Sequence, residues 1–326
     1  MFPFLVEELE QHLEILQAEP LEAGGIRVLG RWRGSPADRS LALQEQLQRW
    51  GYILAVHPME GGLSLVQIMK APPPSPVNWW LHVGLFLATV LTTLWVGAYH
   101  LGHDPLREGW TALRYGFPFS FSLLWILGAH EMGHFWTARR WKVDTSPPYF
   151  IPFPNPLIGT MGAFIRMRSP VPHGRALMDI AAAGPWAGIV AALPVLWIGM
   201  LLSPVVPTGS AGTGLFLGEN LLFKVLVFLT HGPLPEGMDL QLHPVAFAGW
   251  LGLFVTAINL LPVGQLDGGH VLYALWPRWQ RWFGMGTLLF LLLMGKFWSG
   301  WWTWAFLVMI LGVQHPPTLN PLVNLD

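Results

Sequence analysis

Charge is scarce over most of this chain, and that scarcity limits what it can fold into. From residue 76 to the C-terminus there are ten acids and twelve bases, set between long apolar runs. A soluble domain draws about 25% of its residues from Asp, Glu, Lys and Arg, whereas this chain draws 11% and is 52% hydrophobic. Too little polar surface is available to cover an ordinary globule, so the apolar runs are expected to face a lipid bilayer. The nineteen tryptophans agree, since indoles collect at the two membrane interfaces. A net charge of −1 leaves no basic footprint for nucleic acid. The absence of cysteine excludes disulfides, thiolate metal sites and cysteine nucleophiles.

The first 75 residues have a different character, with nine acids and six bases. Residues 1–70 read as a small α/β domain that docks on something else, because so short a chain buries little core alone. Apolar residues at helical spacing (Leu5, Leu9, Leu13, Leu16) predict a helix over Phe4–Ala18. A strand follows at Ile26–Trp32, and Ser35-Pro36 is a helix entry leading into 37–50. Tyr52–Val56 and Leu63–Met69 read as two further strands. The acidic N-terminus lacks the basic region of a signal or transit peptide. Ala71–Pro76 is a stiff proline-rich linker to a polytopic membrane domain over 77–326.

A helix needs about 20 residues to span the hydrocarbon core. Trp79–Tyr99, Phe117–Thr137 and Ala176–Leu202 meet that length, the last with a bend expected at Gly184-Pro185. Pro244–Leu261, which resumes to Trp276 after a Pro/Gly break, Trp282–Met294 and Trp301–Val313 bring the count to about six transmembrane helices. Ser203–Leu242 reads as loop around a short apolar helix, Glu219–Thr230. Seven prolines between 146 and 172 forbid a helix there, and Leu157–Met167 reads as a membrane-associated β-ribbon. With residues 1–75 cytoplasmic, the inner loops hold eight basic residues against four outside, as the positive-inside rule favours.

The chemistry sits in Ala129-His130-Glu131-Met132-Gly133-His134. Histidines four apart share one helix face and can reach one metal, and the Glu between them can serve a metal-activated water as general base. A trio of ionisable groups inside a membrane span is costly and needs such a reason. Catalytic zinc takes three protein ligands, so a third is required. Among the few acids of the membrane part, Asp267, Asp179 and Glu219 are the serious candidates. Asp267 lies where its span breaks near the cytoplasmic side, and His134 is about 7.5 Å of helix rise from Arg139 at that same side. Asp179 can instead cap or pair near Arg175, and Glu219 falls on the opposite side.

The combination resembles the site-2 protease family of intramembrane zinc metalloproteases, in its bacterial type with an N-terminal soluble domain. The resemblance covers residues 77–276 and rests on His130–His134, on Asn259-Leu260-Leu261-Pro262, on Leu266-Asp267-Gly268-Gly269, and on Gly159–Phe164. It implies one Zn2+ per chain held by His130, His134 and Asp267, with Glu131 activating water and Asn259 steadying substrate or oxyanion. His270 departs from the family, where many members carry Arg. The implied substrates are single-span membrane proteins cut in or near the bilayer, and the implied setting is a cell membrane.

A peptide bond within a helix must be unwound before attack, and an exposed strand edge can replace its lost hydrogen bonds. Gly159, Thr160, Met161, Gly162, Ala163 and Phe164 are therefore assigned as the substrate-binding edge. Residues 1–70 remain free to contact a regulator or the substrate. His82, His100, His103, His231, His243 and His315, at span ends or in loops, read as ordinary interfacial histidines. The rival to a protease is a catalytically silent membrane scaffold that retains the fold. A di-iron hydroxylase needs more clustered ligands than these scattered histidines provide, and a zinc domain outside the bilayer needs a soluble histidine helix.

Overall fold

A computed structural model of the chain describes residues 2–21, 24–208, 221–323 and 325. The N-terminal part is helix α1 (Phe2–Glu10), strands β1 (Leu13–Leu21) and β2 (Gly25–Trp32), helix α2 (Pro36–Arg49), and strands β3 (Tyr52–Pro58) and β4 (Leu63–Lys70). Its antiparallel sheet has the order β1-β2-β4-β3. In β4 the residues Ser64, Val66 and Ile68 alternate inward, as a half-buried strand requires. Val66 and Ile68 meet Leu5 and Leu9 of α1 and Leu43 and Leu47 of α2 in one core. The Trp32 indole N–H donates to the Ser64 hydroxyl at 3.0 Å within that core. Ser35 caps α2 by accepting from the Asp38 N–H, with Pro36 in the first turn.

The single helix expected over 4–18 is corrected: α1 ends at Glu10, and the chain enters β1 at Leu13. Leu13 continues the helical spacing by coincidence, because as a strand residue opposite Trp32 it faces the same core. A bulge between Ile15 and Gln17 then breaks the strand alternation and leaves Leu16 exposed. Pro20 is tolerated because β1 is an edge strand.

The linker is extended and tied down. Ser75 donates its N–H to Asp144 at 3.2 Å, and Arg168 donates to the Ser75 carbonyl at 2.9 Å. Helix α3 (Trp79–His100) follows, then a short α4 (Pro105–Glu108), a 3-10 turn over Trp110–Gly116, and α5 (Phe117–Arg140). Strands β5 (Tyr149–Pro152) and β6 (Thr160–Phe164) form the ribbon. The partner of β6 thus comes from before Leu157, outside the expected 157–167 stretch. Helix α6 (Gly174–Leu201) continues unbroken through Pro185 and Pro194. Next come β7 (Val205–Pro207), α7 (Leu221–His231), β8 (Met238–Leu240), which pairs with β7, and α8 (Pro244–Asn259). The chain ends with α9 (Asp267–Leu275), α10 (Gln280–Met294) and α11 (Gly300–Leu311).

The molecule is mainly helical with some sheet. Among the described residues two helices, α3 and α6, are long and apolar enough to cross a membrane by length and composition. Helix α5 is 24 residues long but carries His130, Glu131, His134, Arg139 and Arg140. It packs most extensively on α6, and both pack on α8. The approach is close because Gly133 of α5 meets the Ala183 carbonyl, where a Cβ would stand 2.5 Å away.

Burial and the nearby Arg39 guanidinium hold the His12 imidazole below its ordinary pKa of 6.5. Unfolding lets it take up a proton at that ordinary value, so the N-terminal sheet has its full stability above pH 6.5 and loses some as pH falls below. Hydrogen exchange of β2 amides in the full chain, corrected for intrinsic rates, should show weaker protection at pH 5 than at pH 7. His12→Gln should flatten that difference; an undiminished difference in the variant contradicts the assignment.

Candidate metal centre

His130 and His134 stand one turn apart on α5 and point at α6 and α9. The His134 Nδ1 faces the Ile180 carbonyl at 2.7 Å. A carbonyl only accepts, so Nδ1 carries a proton and Nε2 is the nitrogen that faces the cluster. That Nε2 lies 3.2 Å from the His130 Nε2 and 3.3 Å from Asp267 Oδ1, while His130 Nε2 lies 3.1 Å from Asp267 Oδ2. Atoms 2.0–2.1 Å from a tetrahedral zinc stand about 3.3 Å from one another. Two imidazoles and a carboxylate are also zinc's usual donors, so these three residues fit the ion in both chemistry and spacing.

Glycine builds the seat. A Cβ on Gly184 would lie 2.0 Å from His134 Nε2, and one on Gly188 3.1 Å from His130 Nδ1. Gly184, expected as part of a bend, is therefore the floor under a ligand ring. Asp267 is the first residue of α9, reached after α8 ends at Asn259 and the chain turns through 260–266. Cβ atoms on Gly268 and Gly269 would strike the Leu260 and Gly264 carbonyls at 2.0 and 2.5 Å, so both glycines are needed for α9 to start here.

Glu131, 5% exposed, lies beside the cluster, with the backbone of Ile165, just beyond β6, near its carboxylate. The residue between the two histidines therefore stands next to the ribbon. Asn259 closes α8, half-buried, with no hydrogen bond to the cluster among the described residues. Asp179 accepts from the Trp141 indole at 3.0 Å and stands outside the group of three. Glu219 lies outside the described residues.

The ribbon divides. Gly159 takes a φ of +79° against the Thr92 backbone of α3, and Thr160 is 4% exposed with its hydroxyl on the Ile151 carbonyl. Met161 is 71% exposed, with Gly162 and Ala163 half-buried and Phe164 exposed. Its first two residues thus fix the strand, and the last four offer a surface. No spacing rule foretold Ile165, Ile180 or the two α6 glycines, whose roles come from backbone groups and from the absence of side chains. His270, three residues after Asp267, meets His315.

The sequence model described as Peptidase family M50 matches residues 118–284, which include all five residues of the cluster and its surroundings named by motif. Over 281 residues the chain is 30% identical to "Probable zinc metalloprotease EGY2, chloroplastic" of Oryza sativa subsp. indica, covering 81% of this chain and 50% of that protein. The Arabidopsis thaliana protein of the same name is 28% identical over 276 residues, with 81% and 49% covered. "Probable zinc metalloprotease EGY1, chloroplastic" of Oryza sativa subsp. japonica is 36% identical over 181 residues, with 54% and 31% covered. The chain spans about half the length of the first of these relatives. No solved structure matches it.

Gly184→Ala should abolish stoichiometric zinc binding, measured by elemental analysis of the purified chain, because the new methyl occupies the His134 ring position. Gly286→Ala, on α10 with open space around it, serves as the control and should keep zinc. Zinc retained by Gly184→Ala would contradict the packing account of the seat.

Proposed function

The chain belongs to peptidase family M50, the site-2 protease resemblance read from its motifs, and from that premise we propose a zinc metalloendopeptidase acting on membrane-anchored substrates. It hydrolyses peptide bonds in or near their transmembrane segments. The observation that carries this reading is the meeting of His130, His134 and Asp267 within hydrogen-bond distance of one another, with a buried Glu131 beside them near the end of strand β6.

His130, His134 and Asp267 hold the metal. Zinc in that place supplies Lewis-acid polarisation of the scissile carbonyl and of the attacking water. Glu131 takes the water's proton and delivers it to the leaving amine. Asn259, at the end of α8, steadies the substrate or the oxyanion. An open strand edge is not tolerated in lipid unless something pairs with it. β6 has one strand neighbour among the described residues, so an unwound substrate segment can become its second along Met161–Phe164.

The setting is a multi-pass membrane protein of bacterial type, with about six spans drawn from α3, α5, α6, α8, α10 and α11. The last three are short of about 20 residues, and local thinning of the bilayer takes up such a mismatch. The metal lies toward the end of α5 that carries Arg139 and Arg140, and α6 begins at that end with Arg175. This basic end is read as cytoplasmic, together with residues 1–70 as a separate domain joined by the 71–76 linker. That domain is a contact for a regulator or for the single-span substrate.

Glu131→Gln in the full chain, co-expressed with a single-span substrate, should keep its zinc and lose at least a hundredfold in cleavage, read by mass spectrometry. Cleavage at the normal rate would remove Glu131 as the base. No zinc-dependent cleavage even by the unaltered chain would favour the silent scaffold. Because the chain has no cysteine, Met161→Cys in the Glu131→Gln background should form a disulfide with a cysteine placed near the substrate's cut site. Phe283→Cys, exposed on α10, should not. Equal cross-linking at both positions would refute the edge.

A further inference from the structure

We propose that His315, from beyond the last helix, is a positioning residue for the metal ligand Asp267; the inference rests on the zinc reading above. Asp267 opens a helix of nine residues, too short to hold its place without tertiary contacts. On one side α9 packs on α6. On another side lies the extended C-terminal segment, and His315 is its grip.

The segment is anchored before and after His315. Gln280, 1% exposed at the start of α10, donates to the Val313 carbonyl at 3.0 Å and accepts the His315 N–H at 3.1 Å. Further on, the Asn320 N–H donates to the Pro172 carbonyl at 2.8 Å, ahead of α6. The Asn320 side chain donates to Ser40 of α2 at 3.0 Å, and the Leu319 carbonyl accepts the Val56 N–H of β3 at 2.8 Å. The same segment therefore holds the N-terminal sheet and the metal end of the helices together.

Between these anchors His315 is 7% exposed. Its Nε2 lies 2.5 Å from His270 Nδ1, and its ring stacks on Tyr273 with centroids 4.3 Å apart and planes 21° from parallel. Its Nδ1 bonds the Pro316 carbonyl. His270 is three residues from Asp267 and Tyr273 three more, and residues three apart are neighbours on a helix surface. His315 thus clamps the side of α9 that begins with Asp267, and fixes both where the helix starts and where its carboxylate stands. As an interfacial histidine it would have no such contacts.

The test is zinc affinity of the full chain in detergent, by competition with a chelator, beside the melting temperature of the zinc-free protein. His315→Ala should weaken zinc 10- to 100-fold, the usual loss when support behind a ligand is removed, with the zinc-free chain still unfolding in one cooperative transition. His315→Gln, whose amide reaches the Nε2 position, should recover most of the affinity, and His315→Asn, which reaches only Nδ1, should not. The His270→Ala/His315→Ala pair should bind no more weakly than His270→Ala alone. Affinity of His315→Ala within twofold of the unaltered chain overturns the proposal, as does an equal loss in the Gln and Asn variants. If His315→Ala does not fold, the Gln and Asn pair decides. Failure of the unaltered chain to bind zinc overturns the metal reading itself, and this inference with it.

Discussion

Two imidazole nitrogens and a carboxylate face one another at 3.1 to 3.3 Å among apolar helices. Buried polar groups are stable only when their lone pairs have partners, and here the His134 Nδ1 proton is already committed to the Ile180 carbonyl. The remaining lone pairs converge on one point, and a divalent cation satisfies all of them together. Much of the rest of the fold serves that convergence. Gly133 lets α5 close on α6, Gly184 and Gly188 make room for the rings, and Gly268-Gly269 let α9 begin against the end of α8. At Gly133, Gly184, Gly268 and Gly269 a methyl group would strike a neighbour, and at Gly188 it would press on the His130 ring.

The same economy of side chains joins the metal to the ribbon. Glu131 is the residue between the two histidines, and its carboxylate lies near the backbone of Ile165, immediately after β6. The ribbon's own position is set by Gly159 against the α3 backbone, and by His82, whose ring bonds the Pro148 carbonyl at 3.1 Å and lies against Tyr149. A histidine that reads as an interface residue thus supports the β5 end of the ribbon.

What was legible in the sequence was local. The i, i+4 histidines with Glu131 between them, the scarcity of other acids, and the Asp-Gly-Gly turn pointed to the cluster that the structure assembles. Apolar length gave α3, α5 and α6 nearly to the residue, and strand alternation gave β2, β3 and β4. What was not legible was non-local or coincidental. Leu5, Leu9, Leu13 and Leu16 keep a helical period across a helix-to-strand boundary because both elements bury the same core. The partner of β6 lies before the expected ribbon, since proline spacing marks where a helix is forbidden and not which segments pair. Gly184 was read with Pro185 as the place of a bend, and sequence shows a missing side chain without showing what fills the space. His315 is separated from Asp267 by two helices, and no periodicity connects them.

The most direct test of the account is anomalous diffraction at the zinc edge from crystals of the purified full chain. One ion per chain is predicted, with Nε2 of His130, Nε2 of His134 and an Asp267 oxygen each at about 2.0–2.2 Å. An ion seated elsewhere, or one bound by the two histidines with the Asp267 carboxylate turned away, would contradict it.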